Sequence, residues 1–294
     1  MKQILIFYSL LLIYATNLLS QNMSNNNPLT IDSGYINVNG CKLYYEVAGD
    51  SEHIVLLHDG LVDLQIWDEQ FPLLARNYRV VRYDRRKYGK SSDPQANYSH
   101  IEDLNQVFIQ LKIDKAVVFG MSAGGGLAID FTLKYPERVS GLILVGSVVS
   151  GYAYSQHLMT RGGRIDRSYF SDQQKLIKYL IEDDPYEIYH MNIHAKEKLK
   201  KIFGGNPKLR PDNGFVALPP DRQALKFLSE IKVPTLILVG EYDIPDVHAF
   251  SGIINVGIEH SKREIIANAG HLIPLEQPVL FYNAVKEFLI DNPK

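Results

Sequence analysis

Residues 118–128 read VFGMSAGGGLA, and this short stretch decides the fold. The apolar run AVVF at 116–119 ends just before Gly120, and a helical pattern begins just after the serine. Gly120–Gly124 matches Gly-x-Ser-x-Gly, and a strand-to-helix turn of this kind holds the serine hydroxyl exposed. The helix N-terminus behind Ser122 also favours developing negative charge. We therefore predict that Ser122 is a nucleophile. The alternative for the pentapeptide alone is a tight glycine turn without chemistry.

Short apolar runs alternate with helical patterns along most of the chain. The apolar runs lie at 54–57, 79–83, 116–119, 142–145, 235–239 and 264–266, and the helical patterns lie at 64–76, 101–112, 123–134 and 278–290. Such runs suit strands that are buried on both faces of a parallel sheet. The alternation predicts an α/β fold with a mostly parallel, doubly wound sheet. Residues 35–48 add a hairpin with its turn at Asn39–Gly40.

A serine nucleophile needs a base, and the base needs a carboxylate that orients it. His271 follows the last apolar run in the segment NAGH, and Asp243 follows the run at 235–239. Asp246 is the second choice for the acid. In open α/β sheets, sites form at the carboxyl ends of the strands, which is where Ser122, Asp243 and His271 are all predicted to lie.

The chemistry also needs two backbone N–H groups that stabilise an oxyanion. One belongs to the residue after the nucleophile, Ala123. The other is expected from the loop after the run at 54–57, and Gly60 is the first choice.

The segments LLHDG, YDRRKYGKS, GMSAGG, LVGEYD and NAGHLIPLEQP resemble those of the α/β-hydrolase fold superfamily, in its esterase, lactonase and haloperoxidase-like branch. The resemblance covers residues 35–290. It implies that Ser122 is the nucleophile, His271 the base and Asp243 its orienter, and that residues 152–232 form a helical cap. The implied activity is hydrolysis of a carboxylic ester, thioester or lactone of a small molecule, without a cofactor or a metal.

Two positions depart from the family pattern. Asp59 replaces the first glycine after His58, and Lys87 replaces the glycine after Arg86. A carboxylate without compensation beside an oxyanion hole would oppose the charge that catalysis stabilises. We therefore predict that Lys87 forms an ion pair with Asp59.

The inserted segment 152–232 interrupts the strand–helix alternation. Its apolar and aromatic residues are expected in part to line an apolar pocket above Ser122, or else to pack the cap on the core. They are Tyr154, Phe170, Tyr179, Tyr186, Tyr189, Met191 and Phe203. Two other functions remain open: a non-enzymatic ligand-binding module, and a C–C hydrolase or lyase that uses the same triad.

The first residues predict export. A basic start and the apolar stretch Ile4–Tyr14 indicate a signal peptide at 1–20, cleaved near Ser20, and a secreted or periplasmic location. Residues 21–34 are predicted to be a linker, and residues 35–294 the hydrolase domain. An uncleaved segment would be a membrane anchor, which is the only membrane contact expected.

Charge and motifs argue against several other classes. A net charge of −2 and the lack of a basic stripe argue against nucleic-acid binding. Gly89–Ser91 reads GKS, but Asp84 stands where a phosphate loop needs its first glycine. His190 and His194 share one helix face, but no acidic residue follows His190, so we expect a solvated helix rather than a metal site.

Overall fold

The computed structural model describes residues 29–160, 172–183, 189–190, 192–205 and 214–292. From Ile31 onward these residues form one compact unit. The predicted signal peptide and residues 21–28 of the predicted linker lie outside the described residues. Within the described ranges, no helix has both the length and the apolar character needed to cross a bilayer.

Eight strands form a single, mostly parallel sheet. They are β1 (Ile31–Val38), β2 (Cys41–Ala48), β3 (His53–Leu57), β4 (Arg79–Tyr83), β5 (Ala116–Met121), β6 (Val139–Val145), β7 (Thr235–Gly240) and β8 (Ser261–Ile266). Their order is β1-β2-β4-β3-β5-β6-β7-β8. Strand β2 is antiparallel to β1 and β4, and all later pairs are parallel. The α/β fold that the alternating pattern predicted is confirmed.

The hairpin of β1 and β2 has the predicted turn. Asn39 and Gly40 have φ values of 45° and 76°, and this positive pair matches the right-handed twist of the flanking strands. Strand β1 begins at Ile31, opposite Ala48, so residues 31–34 belong to the sheet and not to the linker. Their side chains are mostly exposed, which is why no buried apolar run marked them as strand.

Nine α-helices occur in the described ranges. They are α1 (Gln70–Leu74), α2 (His100–Gln110), α3 (Ala123–Lys134), α4 (Gln156–Thr160), α5 (Gln173–Lys178), α6 (Ile193–Gly205), α7 (Pro245–Gly257), α8 (Ile273–Glu276) and α9 (Pro278–Asp291). The helical pattern at 64–76 is divided into a 3₁₀-helix at Leu64–Trp67 and helix α1. The carboxylate of Asp63 caps the 3₁₀-helix by accepting the N–H of Gln65.

The parallel strands bring their carboxyl ends to one edge of the sheet. Every residue of β5 and of β7 is buried, as expected for strands that are covered by helices on both faces. The loops after β3, β5, β7 and β8 therefore open on the same edge, which is where the site described below is built.

Helices α4, α5 and α6 lie in the predicted cap, between β6 and β7 in the chain. Tyr179, Tyr189 and Phe203 are buried there, so they serve packing, whereas Tyr154 lines a cavity beside Ser122. The other predicted cap residues, Phe170, Tyr186 and Met191, lie outside the described residues.

Candidate active site

Ser122 occupies a strained turn between β5 and α3. Its φ of 52° and ψ of −115° are unusual for a residue with a side chain, and such strain concentrates at functional sites. Glycine is required on both sides of the turn. A Cβ at Gly120 would lie 2.4 Å from the carbonyl oxygen of Gly124, and one at Gly124 would lie 2.4 Å from that of His58. Close backbone packing thus fixes the turn that presents the Ser122 hydroxyl.

His271 is joined to Asp243 by hydrogen bonds. Its Nδ1 lies 2.9 Å from Oδ2 and 3.1 Å from Oδ1 of Asp243. The Asp243 side chain is fully buried, and its Oδ1 also accepts the N–H of Ile244. Because a carboxylate accepts at Nδ1, this nitrogen carries the proton and Nε2 is left to accept one. Burial disfavours the charged imidazole, but the Asp243 carboxylate outweighs it and raises the pKa of His271 to about 9.

Ser122, Asp243 and His271 line one cavity of about 320 Å³. Its remaining wall is largely apolar and includes Leu61, Val148, Leu158, Met159, Val247 and Phe250. Within the described residues, no hydrogen bond joins Ser122 to His271. In unliganded sites such bonds are often long and shorten when substrate binds. The structure therefore brings together the serine, histidine and aspartate that the sequence predicted from three separate segments.

Gly60 and Ala123 face each other at the edge of this cavity. A Cβ at Gly60 would lie 3.5 Å from that of Ala123. Ala123 is the first residue of α3, so its N–H has no partner within the helix. The Gly60 N–H donates no hydrogen bond within the described part of the chain. Both N–H groups are therefore available to an oxyanion.

The predicted ion pair between Lys87 and Asp59 is wrong. Lys87 has a left-handed backbone with a φ of 72°, and its Nζ donates to the carbonyl oxygen of Phe215 at 3.0 Å. Asp59 is 1% exposed; its Oδ1 accepts two N–H groups of its own loop, those of Leu61 and Val62. No cationic group of the described residues lies within ion-pair distance of its carboxylate. Asp59 is thus held by its own loop and not by a lysine.

The two loops are instead connected through His58 and Arg85. The Arg85 N–H donates to Nε2 of His58 at 3.0 Å, so Nδ1 of His58 carries the proton and donates to the carbonyl oxygen of Asp59. The guanidinium of Arg85 donates to the same carbonyl oxygen. Burial raises the pKa of Asp59. The N–H groups of Val62 and Leu61 oppose that rise, and so do the charges on His271 and Arg85. The charge of Asp59 is therefore offset mainly by N–H groups of its own loop, and His271 and Arg85 add positive charge nearby without forming an ion pair with it.

Glu276, a buried carboxylate next to the histidine loop, was not predicted from the sequence. Its Oε2 accepts the N–H of Gly270 at 2.8 Å, and its Oε1 accepts that of Leu272 at 2.9 Å. These N–H groups belong to the residues on either side of His271. Burial raises the pKa of Glu276 to about 7, against the opposing effect of these hydrogen bonds. The only signal was an acidic residue in the apolar segment HLIPLEQP.

Gly146, directly after β6, was also missed. Its φ is 52°, and a Cβ there would lie 3.0 Å from Nδ1 of His271 and 3.3 Å from Oδ2 of Asp243. The absence of a side chain thus makes room for the histidine–aspartate pair. The signal was a glycine at the carboxyl end of a predicted parallel strand.

The other candidates lie elsewhere. Asp246 accepts hydrogen bonds from the N–H and hydroxyl of Ser155, and not from His271. The ring of His190 stacks on Tyr242, with ring centroids 3.6 Å apart. Over the described residues, no cluster of histidine, cysteine and acidic side chains forms a set of metal ligands.

Comparison with known proteins gives one consistent family. A family model described as alpha/beta hydrolase fold matches residues 52–278. A putative 2-succinyl-6-hydroxy-2,4-cyclohexadiene-1-carboxylate synthase of Bacillus subtilis is 30% identical over 262 residues, which cover 81% of this chain and 90% of that protein. Carboxylesterase YbfK of the same organism is 26% identical, over 91% of this chain and 90% of that one. The solved structure of Est816, titled an N-acyl homoserine lactone degrading enzyme, has a TM-score of 0.69 and 26% identity, and covers 87% of this chain and 100% of that chain.

Proposed function

The chain belongs to the alpha/beta hydrolase fold family and is a hydrolase, and from this premise we propose that it cleaves a carboxylic ester, thioester or lactone of a small molecule through an acyl-enzyme on Ser122. One observation carries the proposal: Ser122, on its strained turn, shares a cavity with His271, whose Nδ1 is bonded to the buried Asp243. A carboxylesterase and a lactone-degrading enzyme among the similar proteins support it.

Acylation begins when the Ser122 oxygen attacks the carbonyl carbon of the ester. Nε2 of His271 accepts the serine proton as the new carbon–oxygen bond forms. Asp243 holds the imidazole in the required tautomer and stabilises the imidazolium. His271 then gives the proton to the leaving alcohol as the ester bond breaks. A water molecule repeats the sequence on the acyl-enzyme and releases the acid.

The N–H groups of Gly60 and Ala123 stabilise the negative charge that develops on the carbonyl oxygen. Both residues line the cavity that Ser122 lines, and Ala123 adds the positive end of the α3 dipole. Loss of one oxyanion donor typically costs about 10²–10³-fold in kcat. The loop of Gly60 is fixed by the Asp59 carboxylate, which accepts two N–H groups of the same loop.

A fluorophosphonate probe tests the proposal, because it reacts with an activated serine. We expect one labelled peptide, containing Ser122, and hydrolysis of short 4-nitrophenyl esters with an initial burst or steady turnover. Ser122→Ala should abolish labelling and reduce turnover by orders of magnitude without unfolding the protein. Ser155→Ala is the control, because Ser155 is exposed and bonded to Asp246. Unchanged labelling in Ser122→Ala would refute the proposal.

A lyase or C–C hydrolase with the same triad is the second candidate, favoured by the 30% identity to a putative synthase. The first steps are shared, since the same serine and histidine would move the proton. Substrate profiling separates the two: an ester hydrolase turns over esters and lactones, whereas a C–C enzyme leaves them largely intact. A non-enzymatic binding module would show saturable binding with no turnover of either class.

A further inference from the structure

A second cavity adjoins the one around Ser122. It has a volume of about 380 Å³ and shares Ala123, Val148 and Tyr154 with the first cavity. Ala123 carries one of the two oxyanion N–H groups, so the second cavity begins where a bound carbonyl group would lie. Its lining is more polar than that of the first cavity and includes Arg85 and His100.

Arg85 is a buried cation without an ion-pair partner. It is 4% exposed, and its Nε, buried as well, has no hydrogen-bond partner in the described residues. Its guanidinium donates to one carbonyl oxygen, that of Asp59, and faces the ring of Tyr88. A buried charge is costly unless it is paired. The Asp59 carboxylate is near enough to interact with this charge, but within the residues that the structure describes no carboxylate lies within 4 Å of the guanidinium. An anion in the cavity would therefore give Arg85 a direct ion-pair partner.

His100 lines the same cavity. Its Nδ1 is buried and has no hydrogen-bond partner among the described residues. Burial lowers the pKa of His100 well below its usual value, and the positive charges of Arg85, Arg86 and Lys87 lower it further. His100 therefore remains neutral, and these cations give its surroundings a positive potential. A neutral imidazole can donate one hydrogen bond to an anion.

Asp130 also lines this cavity. Burial raises its pKa to about 6, opposed by a hydrogen bond from Ser150 at 2.7 Å, and neither Arg85 nor His100 contributes to that shift. Asp130 likewise has no influence on the pKa of His100. Asp130 therefore neither pairs with Arg85 nor shares a hydrogen bond with His100, and its partner among the described residues is Ser150.

The position of His271 decides which part of an ester enters each cavity. His271 must reach the oxygen of the leaving alcohol, and it lines the first, apolar cavity. The second cavity is lined by Ala123 but not by His271. The alcohol therefore occupies the apolar cavity, and the acyl chain extends past Ala123 into the cavity of Arg85 and His100.

We propose that the second cavity binds a carboxylate at the far end of the acyl chain, through Arg85 and His100, so that the preferred substrate is a half-ester of a dicarboxylic acid with an apolar alcohol. This inference rests on the proposed ester hydrolysis and adds the substrate class. Because the anion would satisfy a buried guanidinium, its absence in a neutral substrate should be costly.

The test compares 4-nitrophenyl hydrogen adipate with methyl 4-nitrophenyl adipate, which differ only in the charge and methyl group at the far end. The corresponding pair of suberates covers a longer chain. The ratio of kcat/KM for the charged ester to that for the neutral one should be about tenfold or more in one of the pairs. Arg85→Gln should bring the ratio close to one, mainly through KM. The ratio cancels any general damage that the variant does to the Gly60 loop.

Two further variants sharpen the result. Arg138→Gln removes an equal charge that is bonded to the carbonyl of Ile113, away from the cavity, and should leave the ratio unchanged. His100→Asn should lower the ratio, and it decides the matter if Arg85→Gln does not fold. A ratio near one in the wild-type protein, or an unchanged ratio in both cavity variants, would overturn the inference while leaving ester hydrolysis intact.

If neither ester is cleaved, that result counts against the proposed ester hydrolysis alone. A binding measurement then still tests the anion site. Calorimetry with Ser122→Ala should show monomethyl adipate, or monomethyl suberate, binding about tenfold more tightly than its dimethyl ester. Adding Arg85→Gln should remove this difference. Equal binding of the charged and neutral ligands would refute the anion site.

Discussion

The carboxylate of Glu276 holds the two peptide N–H groups that flank His271, those of Gly270 and Leu272, at 2.8 and 2.9 Å. Glu276 is 4% exposed, so no water competes for these bonds at the surface. The backbone on both sides of the proposed base is therefore fixed by one side chain. The same negative charge raises the pKa of His271. Glu276 does not contact the reacting atoms and is a positioning residue.

Glu276→Gln should lower kcat by about tenfold with little change in KM, because an amide can accept only one of the two N–H groups and the imidazole loses its fixed position. An unsatisfied buried N–H should also cost about 1–3 kcal/mol of stability. Because the negative charge is lost, the pKa of His271 should fall, and the rising limb of the pH–rate profile should move to lower pH. Glu287→Gln, at an exposed position on α9, is the control. An unshifted profile would mean that the role of Glu276 is structural only.

The rate of hydrolysis should increase between pH 7 and pH 9. With a pKa of about 9, the His271 imidazole is largely protonated at pH 7 and cannot accept the serine proton. Asp243→Asn should move the rising limb to lower pH and reduce the maximal rate by about 10²–10⁴-fold. Asp246→Asn should do neither, since Asp246 is bonded to Ser155. If Asp246→Asn instead had the larger effect, the choice of acid would be wrong.

The stability lost in Asp243→Asn should itself depend on pH. The pKa of His271 is raised in the folded protein from 6.5 to about 9, so the protonated form stabilises the native state. This contribution is fully present below pH 6.5 and is lost as the pH rises through 9. The difference in unfolding free energy between wild type and variant, measured by urea denaturation, should therefore shrink over that interval. A constant difference would contradict the raised pKa.

Gly146→Ala should impair catalysis more than folding. The added methyl group would lie 3.0 Å from Nδ1 of His271, and a φ of 52° adds strain of about 1–2 kcal/mol for a residue with a side chain. We expect kcat to fall by about tenfold or more as the imidazole is displaced. The matched control is Gly252→Ala in α7, where no atom lies within 4 Å of a new Cβ. Full activity in Gly146→Ala would show that the pair tolerates the contact.

The basic and apolar start of the chain predicts export with cleavage near Ser20. Mass spectrometry of the natively expressed protein should find a mature N-terminus near Gln21 in a secreted or periplasmic fraction. The comparison protein is a variant in which two residues of the apolar stretch, Leu10 and Leu12, are replaced by lysine, which should keep the full-length chain inside the cell. An intact Met1 on cytoplasmic wild-type protein would disprove export.

The sequence was sufficient to predict features that depend only on residues close together in the chain. The turn around Ser122 needs small residues on both sides, and the strands β5 and β7 need continuous apolar runs, so each left a readable pattern. Asp243 was found because it follows the continuous apolar run of β7, and His271 because it follows a glycine after the short run at 264–266. The hydrophobic pattern did not predict a strand at residues 31–34, because their side chains are mostly exposed although their backbone pairs with β2.

The pairing of the two loops beside the oxyanion site shows where such patterns fail. Asp59 and Lys87 were linked because both depart from the expected glycines, and opposite charges suggested an ion pair. Lys87 has a left-handed backbone and its side chain donates to the carbonyl oxygen of Phe215, whereas His58 and Arg85 join the loops through main-chain groups. Sequence gives the charges of these residues but not the directions in which their side chains point.

The sequence by itself determined the α/β sheet, the nucleophile turn and the order of serine, aspartate and histidine, because periodicity and turn chemistry act between neighbours in the chain. Only the tertiary structure decided that Glu276 accepts the N–H groups of the histidine loop and that Gly146 leaves space for the imidazole. It also decided that Arg85 and His100 line a cavity beyond Ala123. These relations join residues from different loops. They depend on which loops meet at one edge of the sheet and on which polar atoms are left buried there without a partner.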